Sequence, residues 1–286
     1  FHMIRVGGTS VIMRRFKTEE FIQLTSEEQV SFLFNVPTIY TMMMVHPDFS
    51  LFDYSNVKVI AYGGAPMSME TIYKLRKHFP NAHFHNAYGA TETSSPATIM
   101  PQNFDDSKVA SVGLPVPVGD LKVVNDLDEP CSPNEVGELL IKGPMIVEGY
   151  WDNEQANQSS FLEGYWRSGD LAKIDEDGFV YIVDRKKDLI NRGGEKIFSI
   201  EVENVLYEHP KVLEAAIVGV PDDLFGEVVK AVIVPKENID QQEIKDFVAA
   251  RLANYKVPKY VEFVAELPRN AAGKILKNDL KNLQEN

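Results

Sequence analysis

The first hundred residues alternate short apolar runs with segments of helical periodicity. The apolar runs predict three strands, a buried one at 57–62 among them, and the segments between them predict two helices, in the order 31–36, 37–44, 57–62, 68–79 and 82–88. Strand, helix and strand in repeated succession indicate right-handed crossovers and a parallel sheet covered by helices. In such a sheet, ligands bind in the loops that follow the carboxyl ends of the strands.

The pattern changes after about residue 112. Short strands punctuated by Gly, Pro and Asp run to residue 183 and predict a β-rich region. Two of these strands, 171–174 and 179–183, flank an Asp-Gly pair and predict a hairpin. Farther along, amphipathic helices are predicted at 200–207 and 241–254, and strands at 215–220, 228–234 and 260–264.

Five consecutive charged residues, 184–188, separate the two kinds of pattern. Burying all five would carry a heavy desolvation cost, so they predict an exposed connection that few contacts cross. Because Gly193 and Gly194 follow closely, this connection is a candidate hinge. An ordinary solvated turn is the alternative.

The length of 286 residues allows about two domains. We predict an α/β fold in which a larger domain, 1–184, is followed by a smaller, mobile α+β domain, 185–286. Within the larger domain we expect an α/β part at 1–115 and a β-rich part at 116–184.

Composition narrows the classes of partner. The chain is 44% hydrophobic and 25% charged, which is typical of soluble globular proteins. A net charge of -13 argues against nucleic acid or an anionic membrane as the main partner. The lone Cys131 excludes internal disulfides and fits a reducing cytoplasm. The sequence has no apolar stretch long enough to span a membrane, and its start at Phe1, without an initiator Met, suggests a fragment.

Candidate chemistry lies in the loop after the third predicted strand. Here an aromatic ring, a hydroxyl and a carboxylate stand close together in Tyr88, Thr91 and Glu92. The ring could stack on a planar base, the hydroxyl could hydrogen-bond a phosphate, and the carboxylate could bind magnesium, which prefers oxygen ligands. A helix N-cap formed by the threonine and the nearby glutamate is the alternative.

Three other stretches are ambiguous when taken singly. Gly63 and Gly64 let the backbone approach a ligand closely, but they also suit an ordinary tight turn. Asp170 ends a Ser-Gly-Asp turn where its carboxylate could accept both hydroxyls of a ribose, although many such turns are structural. Lys274 lies in a polar loop and could be either a movable positive charge or a plain surface lysine.

Taken together, these stretches have the order and approximate spacing of a known set of motifs. The segments concerned are Gly63-Gly64-Ala65-Pro66, Tyr88-Gly89-Ala90-Thr91-Glu92, Gly137-Glu138-Leu139 with Gly149-Tyr150-Trp151, 165–170, 184–188 with Arg192-Gly193-Gly194-Glu195, and 268–274. Over essentially its whole length the chain resembles the acyl-adenylate-forming superfamily of acyl-CoA synthetases, carrier-loading adenylation domains and firefly-type luciferases. It looks most like the fatty-acid CoA ligase branch.

The resemblance implies ATP or AMP, Mg²⁺ and CoA as ligands. The nucleotide-binding residues would be Gly64, Ala65, Pro66, Asn86, Ala87, Tyr88, Gly89, Thr91, Asp170 and Arg185. By resemblance, Tyr88 would stack on adenine, Asn86 would meet its amino edge, and Asp170 with Arg185 would hold the ribose hydroxyls.

The catalytic residues that the resemblance implies are Thr91, Glu92 and Lys274. Thr91 would touch phosphate and Glu92 would bind the metal, while Lys274 would lie between the acyl carboxylate and the α-phosphate. A cation there stabilises the charge that builds on phosphoryl oxygens as pyrophosphate leaves.

The same resemblance assigns a moving part to the chain. Lys187 would be the hinge about which the smaller domain rotates after adenylation. That rotation would withdraw the loop of Lys274 and bring Gly193 and Gly194 next to CoA, where their lack of side chains leaves room for pantetheine.

The sequence also departs from the superfamily's pattern. Ser168 stands where Thr is usual, which keeps the hydroxyl, and Ser199 stands where Pro is common. A Ser/Thr/Gly-rich phosphate loop ending in Pro-Lys-Gly does not occur in the sequence. We therefore interpret the chain as a C-terminal portion that lacks the N-terminal half with this loop, and we expect little or no turnover from it alone.

Three hypotheses for function follow. The leading one is an acid–thiol ligase that activates a carboxylic acid as acyl-AMP with ATP and then forms the CoA thioester. The alternatives are an acyl-AMP ligase that loads a separate carrier protein and a non-catalytic nucleotide-binding fragment. The small Ala87 and Gly89, which should lie near the acyl pocket by resemblance, favour a medium- or long-chain fatty acid over acetate. The expected partners are the acid and CoA, and the chain could form a homodimer.

Overall fold

The computed structural model describes residues 2–94, 96–270 and 274–281. Within these residues the strands form three five-stranded sheets that follow one another along the chain. The first sheet is mixed, the second is antiparallel and the third is again mixed. The α/β fold class predicted from the sequence is confirmed, with a smaller α+β unit after the larger α/β and β-rich part.

The first sheet has the strand order β1-β2-β3-β4-β5. Its elements and the helices beside it are α1 (His2–Arg5), α2 (Thr18–Glu27), β1 (Phe32–Asn35), α3 (Pro37–Val45), β2 (Val59–Gly63), α4 (Met69–His78), β3 (His83–Gly89), β4 (Pro96–Ile99) and β5 (Leu114–Pro115). Strands β1 to β3 are parallel, as the alternating pattern predicts, and β4 and β5 continue the sheet antiparallel.

The two crossover helices begin where the sequence predicts. Helix α3 starts with Pro37, whose missing N–H is no loss in a first turn. Helix α4 is capped by Ser68, whose hydroxyl accepts a hydrogen bond from the backbone N of Thr71 at 3.2 Å. These helices return the chain to the same edge of the sheet, so the carboxyl ends of β2 and β3 lie side by side.

The second sheet has the order β10-β9-β7-β6, with β8 paired to β9. Its elements are β6 (Asp120–Val124), β7 (Gly137–Lys142), α5 (Glu154–Ser160), β8 (Phe161–Leu162), β9 (Tyr165–Ile174) and β10 (Val180–Arg185). The predicted hairpin is formed by β9 and β10, and Gly178 in its turn has φ +84°, the left-handed conformation that glycine tolerates.

The third sheet has the order β12-β11-β14-β13, with β15 paired to β14. Its elements are β11 (Ile190–Arg192), β12 (Glu195–Ile197), α6 (Ser199–Tyr207), β13 (Val212–Asp222), β14 (Gly226–Pro235), α7 (Gln241–Ala249), β15 (Tyr260–Phe263) and α8 (Lys277–Lys281). We call these elements the C-terminal unit. Helix α7 is shorter than predicted, because the backbone N–H groups of Arg251 and Leu252 both bond to the Val248 carbonyl and close its last turn.

Each sheet has its own apolar core. In the first, Tyr40 of α3 packs against Ile60 and Leu75 and donates a hydrogen bond to the Ala61 carbonyl at 2.8 Å. The C-terminal unit is covered on both faces: alternate residues of β13 and β14 pack under α6 and α7 on one face and against α8 on the other. In the part of the chain that is described, no helix is long and apolar enough to cross a membrane.

The charged connection at 184–188 is only partly exposed, contrary to the prediction. Lys186 and Lys187 are exposed, but Asp184 has 1% of its surface accessible. Its carboxylate accepts hydrogen bonds from the backbone N and the hydroxyl of Ser199 and from the backbone N of Arg185. These donors replace the lost hydration, which is why the carboxylate is tolerated in the interior.

Candidate active site

The centre of the candidate site is a hydrogen-bonded group of three side chains. Tyr88, near the carboxyl end of β3, donates its hydroxyl proton to Oδ2 of Asp170 at 2.6 Å. Arg185, the last residue of β10, approaches Oδ1 of the same carboxylate with Nε at 3.2 Å. Arg185 and Asp170 are directly opposed on the paired strands β10 and β9. The first and second sheets thus meet at Asp170.

The burial of the Asp170 carboxyl group changes its own pKa and that of Tyr88. Only 7% of the residue is accessible, and this burial raises the pKa of its carboxyl, against the opposing effects of Tyr88, Arg185 and Lys274. Desolvation, followed by the charge of Asp170, raises the pKa of Tyr88 well above its usual value, so its hydroxyl remains a donor. A buried carboxylate with strong donors can accept further hydrogen bonds from hydroxyl groups, since it offers about four lone-pair directions.

The Ser-Gly-Asp turn aims this carboxylate. The Ser168 hydroxyl donates to the Leu139 carbonyl at 2.7 Å and accepts from the backbone N of Asp170 at 3.0 Å. Gly169 has φ +70°, and the pairing of β9 with β7 shifts register here. The hydroxyl of Ser168 therefore holds the turn in shape.

The predicted adenine loop lies beside Tyr88. Gly63 opposes Ala87 in the paired strands, and a Cβ at Gly63 would collide with the Ala87 carbonyl oxygen. Gly64 has φ +78°, and the chain then turns through the partly buried Ala65 and the exposed Pro66. Glycine is thus required at the two positions for different reasons: Gly63 allows close packing of the strands, and Gly64 allows the turn.

Asn86 and Tyr88 lie on one face of β3, because side chains two residues apart point the same way. Nδ2 of Asn86 donates to the Ser111 carbonyl at 3.1 Å. Its Oδ1 has no hydrogen bond to the described residues, so it is available to accept from an amino group. Ala87 and Gly89 occupy the opposite face of the strand, where their small size leaves space.

Glu92 is held by an aromatic pair that the sequence does not reveal. The Tyr150 hydroxyl donates to Oε1 of Glu92 at 2.9 Å, and Nε1 of Trp166 donates to the Tyr150 oxygen at 3.2 Å. The backbone N of Val147 also donates to the Glu92 carbonyl at 2.9 Å. These contacts fix the position of the carboxylate.

Thr91 stands next to Glu92 in the single 3₁₀ turn Thr91–Thr93. The capping bonds of this turn belong to Thr93, whose hydroxyl bonds both the N–H and the carbonyl of Ala90. Thr91 is exposed, and its hydroxyl has no hydrogen bond within the described residues. Thr91 and Glu92 are thus not the cap that the sequence offered as an alternative.

The oxygen ligands around Glu92 fit a magnesium ion only if phosphate oxygens supply the remaining ligands. Among the described residues there is no group of three or more His, Cys, Asp or Glu side chains that could hold a metal. Mg²⁺ is usually held by one or two carboxylates together with waters and substrate phosphates. A single positioned carboxylate beside an exposed hydroxyl agrees with that mode of binding.

Lys274, from the C-terminal unit, lies within electrostatic reach of Asp170 and Arg185. The backbone N of Lys274 donates to Oδ1 of Asn270, and its carbonyl accepts from the Asn270 N, both at 2.9 Å. The side chain is accessible but crowded: partial desolvation and then the charge of Arg185 lower its pKa, while Asp170 opposes them. Residues 271–273 of the predicted loop lie outside the described part of the chain.

The predicted hinge is a hydrogen-bonded turn. The backbone N–H groups of Asp188 and Leu189 donate to the Arg185 carbonyl at 2.9 and 3.1 Å. Lys186 is tied to the second sheet, by its backbone N to the Gly169 carbonyl at 2.9 Å and by Nζ to Glu138 at 3.0 Å. Lys187 is exposed, and its side chain makes no hydrogen bond or ion pair with the described residues, so only the backbone bonds of this turn would oppose a rotation there.

Gly193 and Gly194 form the two-residue turn of the β11–β12 hairpin. Their φ angles are +61° and +95°, which suit the left-handed turn of a tight hairpin. The backbone N of Gly193 donates to the Phe225 carbonyl at 2.8 Å. No described contact joins this hairpin to Tyr88 or Asp170, so the structure does not bring it into the candidate site.

Comparisons with known proteins agree with this arrangement. A family model of the AMP-binding enzyme matches residues 1–151, and one of the AMP-binding enzyme C-terminal domain matches residues 201–274. A feruloyl-CoA synthase of Amycolatopsis sp is 36% identical over 277 residues, 96% of this chain and 56% of its own length. A 2-succinylbenzoate–CoA ligase of Bacillus licheniformis is 36% identical over 98% of this chain and 57% of its own. A long-chain-fatty-acid–CoA ligase of Bacillus subtilis is also 36% identical, over 98% of this chain and 50% of its own.

Solved structures give the same result. The o-succinylbenzoate CoA synthetase of Bacillus subtilis, in complex with its acyl-adenylate intermediate, has a TM-score of 0.87 at 32% identity and is matched over 99% of this chain and 57% of its own. ATP-bound MatB from Rhodopseudomonas palustris has a TM-score of 0.88 at 30% identity, over 98% and 55%. The chain spans about half the length of the curated relatives it matches. With half of its residues matched by the AMP-binding family model and much of the rest by its C-terminal partner, the chain belongs to the AMP-binding enzymes of the acyl-adenylate-forming superfamily.

Proposed function

We propose that this chain supplies the adenylate-binding and mobile parts of an acid–thiol ligase. The ligase would activate a carboxylic acid with ATP as acyl-AMP and then form the CoA thioester. The observation that carries this proposal is the contact of Tyr88 and Arg185 with the Asp170 carboxylate, within electrostatic reach of Lys274. A ribose acceptor, an aromatic ring and a cation from the C-terminal unit are what binding and forming an adenylate require.

The nucleotide would bind at the carboxyl ends of β2 and β3. Its adenine would stack on Tyr88, whose ring is fixed by the hydrogen bond to Asp170. The loop of Gly64, Ala65 and Pro66 would border the base, and Oδ1 of Asn86 would accept from its amino group. The ribose hydroxyls would donate to the lone pairs of Asp170 that Tyr88 and Arg185 leave open.

Lys274 would act in the first half-reaction. The acid's carboxylate attacks the α-phosphorus and pyrophosphate leaves, so negative charge develops on the phosphoryl oxygens between the two groups. A positioned ammonium stabilises that charge without reorganisation at the moment of reaction. The exposed hydroxyl of Thr91 would donate to a phosphate oxygen beside it.

We propose that Glu92, oriented by Tyr150, would hold magnesium together with phosphate oxygens. When bound, the ion would neutralise phosphate charge and favour the departure of pyrophosphate. Glu92 would present one carboxylate oxygen in a fixed direction, and the bonds of its side chain to Tyr150 and of its backbone carbonyl to Val147 support this.

For the second half-reaction we propose that Lys187 is the pivot. Lys186 stays with the second sheet, so rotation has to begin at the next residue. The turn would carry Lys274 away and bring Gly193 and Gly194 toward the adenylate, with the thiol of CoA as the nucleophile. Transfer to a separate carrier protein without transfer to CoA would replace this part of the proposal.

For the acid we propose a medium- or long-chain fatty acid. The small Ala87 and Gly89 on one face of β3 support it, as does the likeness to a long-chain-fatty-acid–CoA ligase. Feruloyl-CoA synthase and 2-succinylbenzoate–CoA ligase are equally similar to this chain, so aromatic acids are the competing class. A hydroxamate assay over a fatty acid series, ferulate and 2-succinylbenzoate decides between them, using the chain joined to a half that carries the phosphate loop.

The lone Cys131 supports a reducing, cytoplasmic location. Homodimer formation stays a prediction, and sedimentation at several concentrations tests it.

Calorimetric titration of this chain tests the nucleotide site directly. AMP and a non-hydrolysable acyl-AMP analogue should bind, and the analogue should bind more tightly because it also fills the acyl side. Dideoxy-AMP, which lacks both ribose hydroxyls, is the matched control and should bind much more weakly than AMP. Equal binding of the two nucleotides would remove Asp170 from the ribose, and no binding of any of the three would refute a nucleotide site in this chain.

A further inference from the structure

The loop of Lys274 is anchored at both ends by contacts that cross the proposed hinge. On its C-terminal side, Lys277 donates to the Ser199 hydroxyl oxygen at 2.7 Å and pairs with Glu203 at 2.7 Å. The Ser199 hydroxyl in turn donates to Oδ1 of Asp184 at 2.9 Å, and its backbone N donates to Oδ2. Asp184 belongs to the second sheet and precedes Lys187, whereas Ser199 follows Lys187 in the chain.

The N-terminal side of the loop is held by a different contact. Arg269 donates from one guanidinium nitrogen to Oγ1 of Thr38 at 3.1 Å, and its other terminal nitrogen pairs with Glu214. Thr38 lies in α3 beside the first sheet, and Glu214 lies in β13 of the C-terminal unit. The guanidinium therefore bridges the two parts of the molecule.

Between these two anchors the backbone is closed on itself. Arg269 and Ile275 form an antiparallel bridge, and the backbone N of Leu276 donates to the Pro268 carbonyl at 2.8 Å. Lys274 thus adjoins the paired segments 268–270 and 274–276, which are tied to Thr38 on one side and, through Ser199, to Asp184 on the other. A rotation about Lys187 has to break both contacts.

We propose that Ser199, Lys277 and Arg269 are positioning residues that clasp the C-terminal unit in the orientation that presents Lys274 to Asp170 and Arg185. The clasp rests on the proposed function, since it matters for catalysis only if Lys274 acts on the adenylate. It fixes the ratio between this orientation and the rotated one. Each of these hydrogen bonds has a charged partner, so the loss of one raises the rotated fraction by roughly tenfold or more while that fraction is small.

The test needs a signal from both sides of the hinge. Lys196 of β12 and Asp126 of the second-sheet region form an ion pair across it at 3.7 Å, with side chains 62% and 82% exposed. Such an exposed pair contributes little to stability, so both positions can be changed to cysteine and labelled with pyrene after Cys131→Ser. Pyrenes in contact form an excimer, and the amplitude of the long-lived monomer emission measures the rotated fraction.

Two clasp variants are compared with a matched control. Thr38→Val removes the acceptor of Arg269, and Ser199→Pro removes both donors to Asp184 while proline still suits a first helical turn. Thr41→Val is the control, because it changes the same residue type on the same helix and, among the described residues, its hydroxyl bonds only the Pro37 carbonyl, at 3.4 Å.

We expect the rotated fraction to rise roughly tenfold or more in Thr38→Val, and further in the double variant that combines Thr38→Val with Ser199→Pro. Thr41→Val should leave it unchanged. An unchanged amplitude in the double variant, with circular dichroism showing folded protein, overturns the clasp. If Ser199→Pro does not fold, Thr38→Val against Thr41→Val decides the result alone. No nucleotide is present in this measurement, so the two negative results can be told apart. An unchanged pyrene signal overturns the clasp, whereas a failed AMP titration overturns the proposed function.

Discussion

Replacing Asp170 with asparagine separates the effect of the carboxylate on the stability of the fold from its effect on nucleotide binding. Burial raises the pKa of Asp170 above its unfolded value, although Tyr88, Arg185 and Lys274 all act in the other direction. A carboxyl with a raised folded pKa contributes stability that is present below the unfolded pKa of 3.8 and is lost as the pH rises through the folded pKa. At neutral pH the ionised group therefore lowers the stability of the folded chain.

Asparagine has the same shape and carries no charge, so Asp170→Asn should remove this cost. Its amide oxygen still accepts from Tyr88, while its NH₂ group faces Arg185 and limits the gain. We expect the free energy of unfolding at pH 7 to rise by about 1 kcal/mol, as when a strained functional site is relieved. The difference from the wild type should shrink as the pH falls and Asp170 becomes protonated.

Nucleotide binding should change in the opposite sense. Each ribose hydroxyl that donates to a charged oxygen contributes about 1.5–3 kcal/mol, and the amide offers one neutral acceptor in place of two charged ones. The loss should be about 2–3 kcal/mol, which is roughly a 30- to 150-fold weaker Kd for AMP. Calorimetry with AMP measures it.

The effect of Asp170→Asn on stability can be followed by the fluorescence of a nearby tryptophan. Trp166 lies in β9, the strand of Asp170, and is 5% exposed, whereas Trp151 is 97% exposed. Urea unfolding followed by tryptophan fluorescence therefore reports mainly on the strand that carries the substitution. Asp223→Asn, at an exposed carboxylate, is the matched control and should change neither quantity. A variant at Asp170 that loses stability at pH 7, or that binds AMP as the wild type does, would refute this account of the site.

Four further predictions follow from the described contacts. In an enzyme completed with a phosphate-loop half, Lys274→Ala should slow adenylation by roughly 100-fold or more, but leave thioester formation from supplied acyl-AMP largely intact; equal losses in both would contradict its role. Lys187→Pro in the same enzyme should do the reverse, because proline fixes φ where the pivot must turn; unimpaired turnover would remove it from the hinge. Gly63→Ala should lower the free energy of unfolding by roughly 1–3 kcal/mol in urea, since its Cβ would meet the Ala87 carbonyl; a neutral effect would contradict the close packing. Burial lowers the pKa of His209 below 6.5, against the pull of Glu243, so stability is full above that pH and falls below it; His209→Gln should flatten this part of the urea-derived stability profile.

Much of the fold follows from the period of the apolar residues. The strands β1, β2 and β3 were predictable because they are short apolar runs with helices of clear periodicity between them. Strand β4 was not predicted, because its four residues begin with Pro96 and form a short antiparallel addition with no pattern of its own. Helix α7 was predicted too long, because the sequence beyond Ala249 stays helix-compatible while its backbone has already closed the turn.

The candidate site could be predicted only as a set of separate stretches. Tyr88 and Asp170 are 82 positions apart, and nothing local in either stretch indicates that the hydroxyl of one bonds the carboxylate of the other. Only the order of the motifs along the chain indicates that these two stretches belong to one site. Tyr150 and Trp166 stood within recognised motifs, yet their support of Glu92 depends on how α5 and β9 pack, which sequence spacing does not determine.

The burial of Asp184 shows where charge-based reasoning fails. A run of charges predicts exposure because desolvation is costly, but that estimate omits donors supplied by distant parts of the chain. Here the donors come from the first residue of α6, and the nearby charge of Lys277 opposes the effect of burial on the pKa of Asp184. A carboxylate buried at a connection is stable only while its partners stay in place, so its burial depends on orientation. The residue that the charge pattern marks as solvent-exposed is thus one whose contacts must be broken before the proposed hinge can turn.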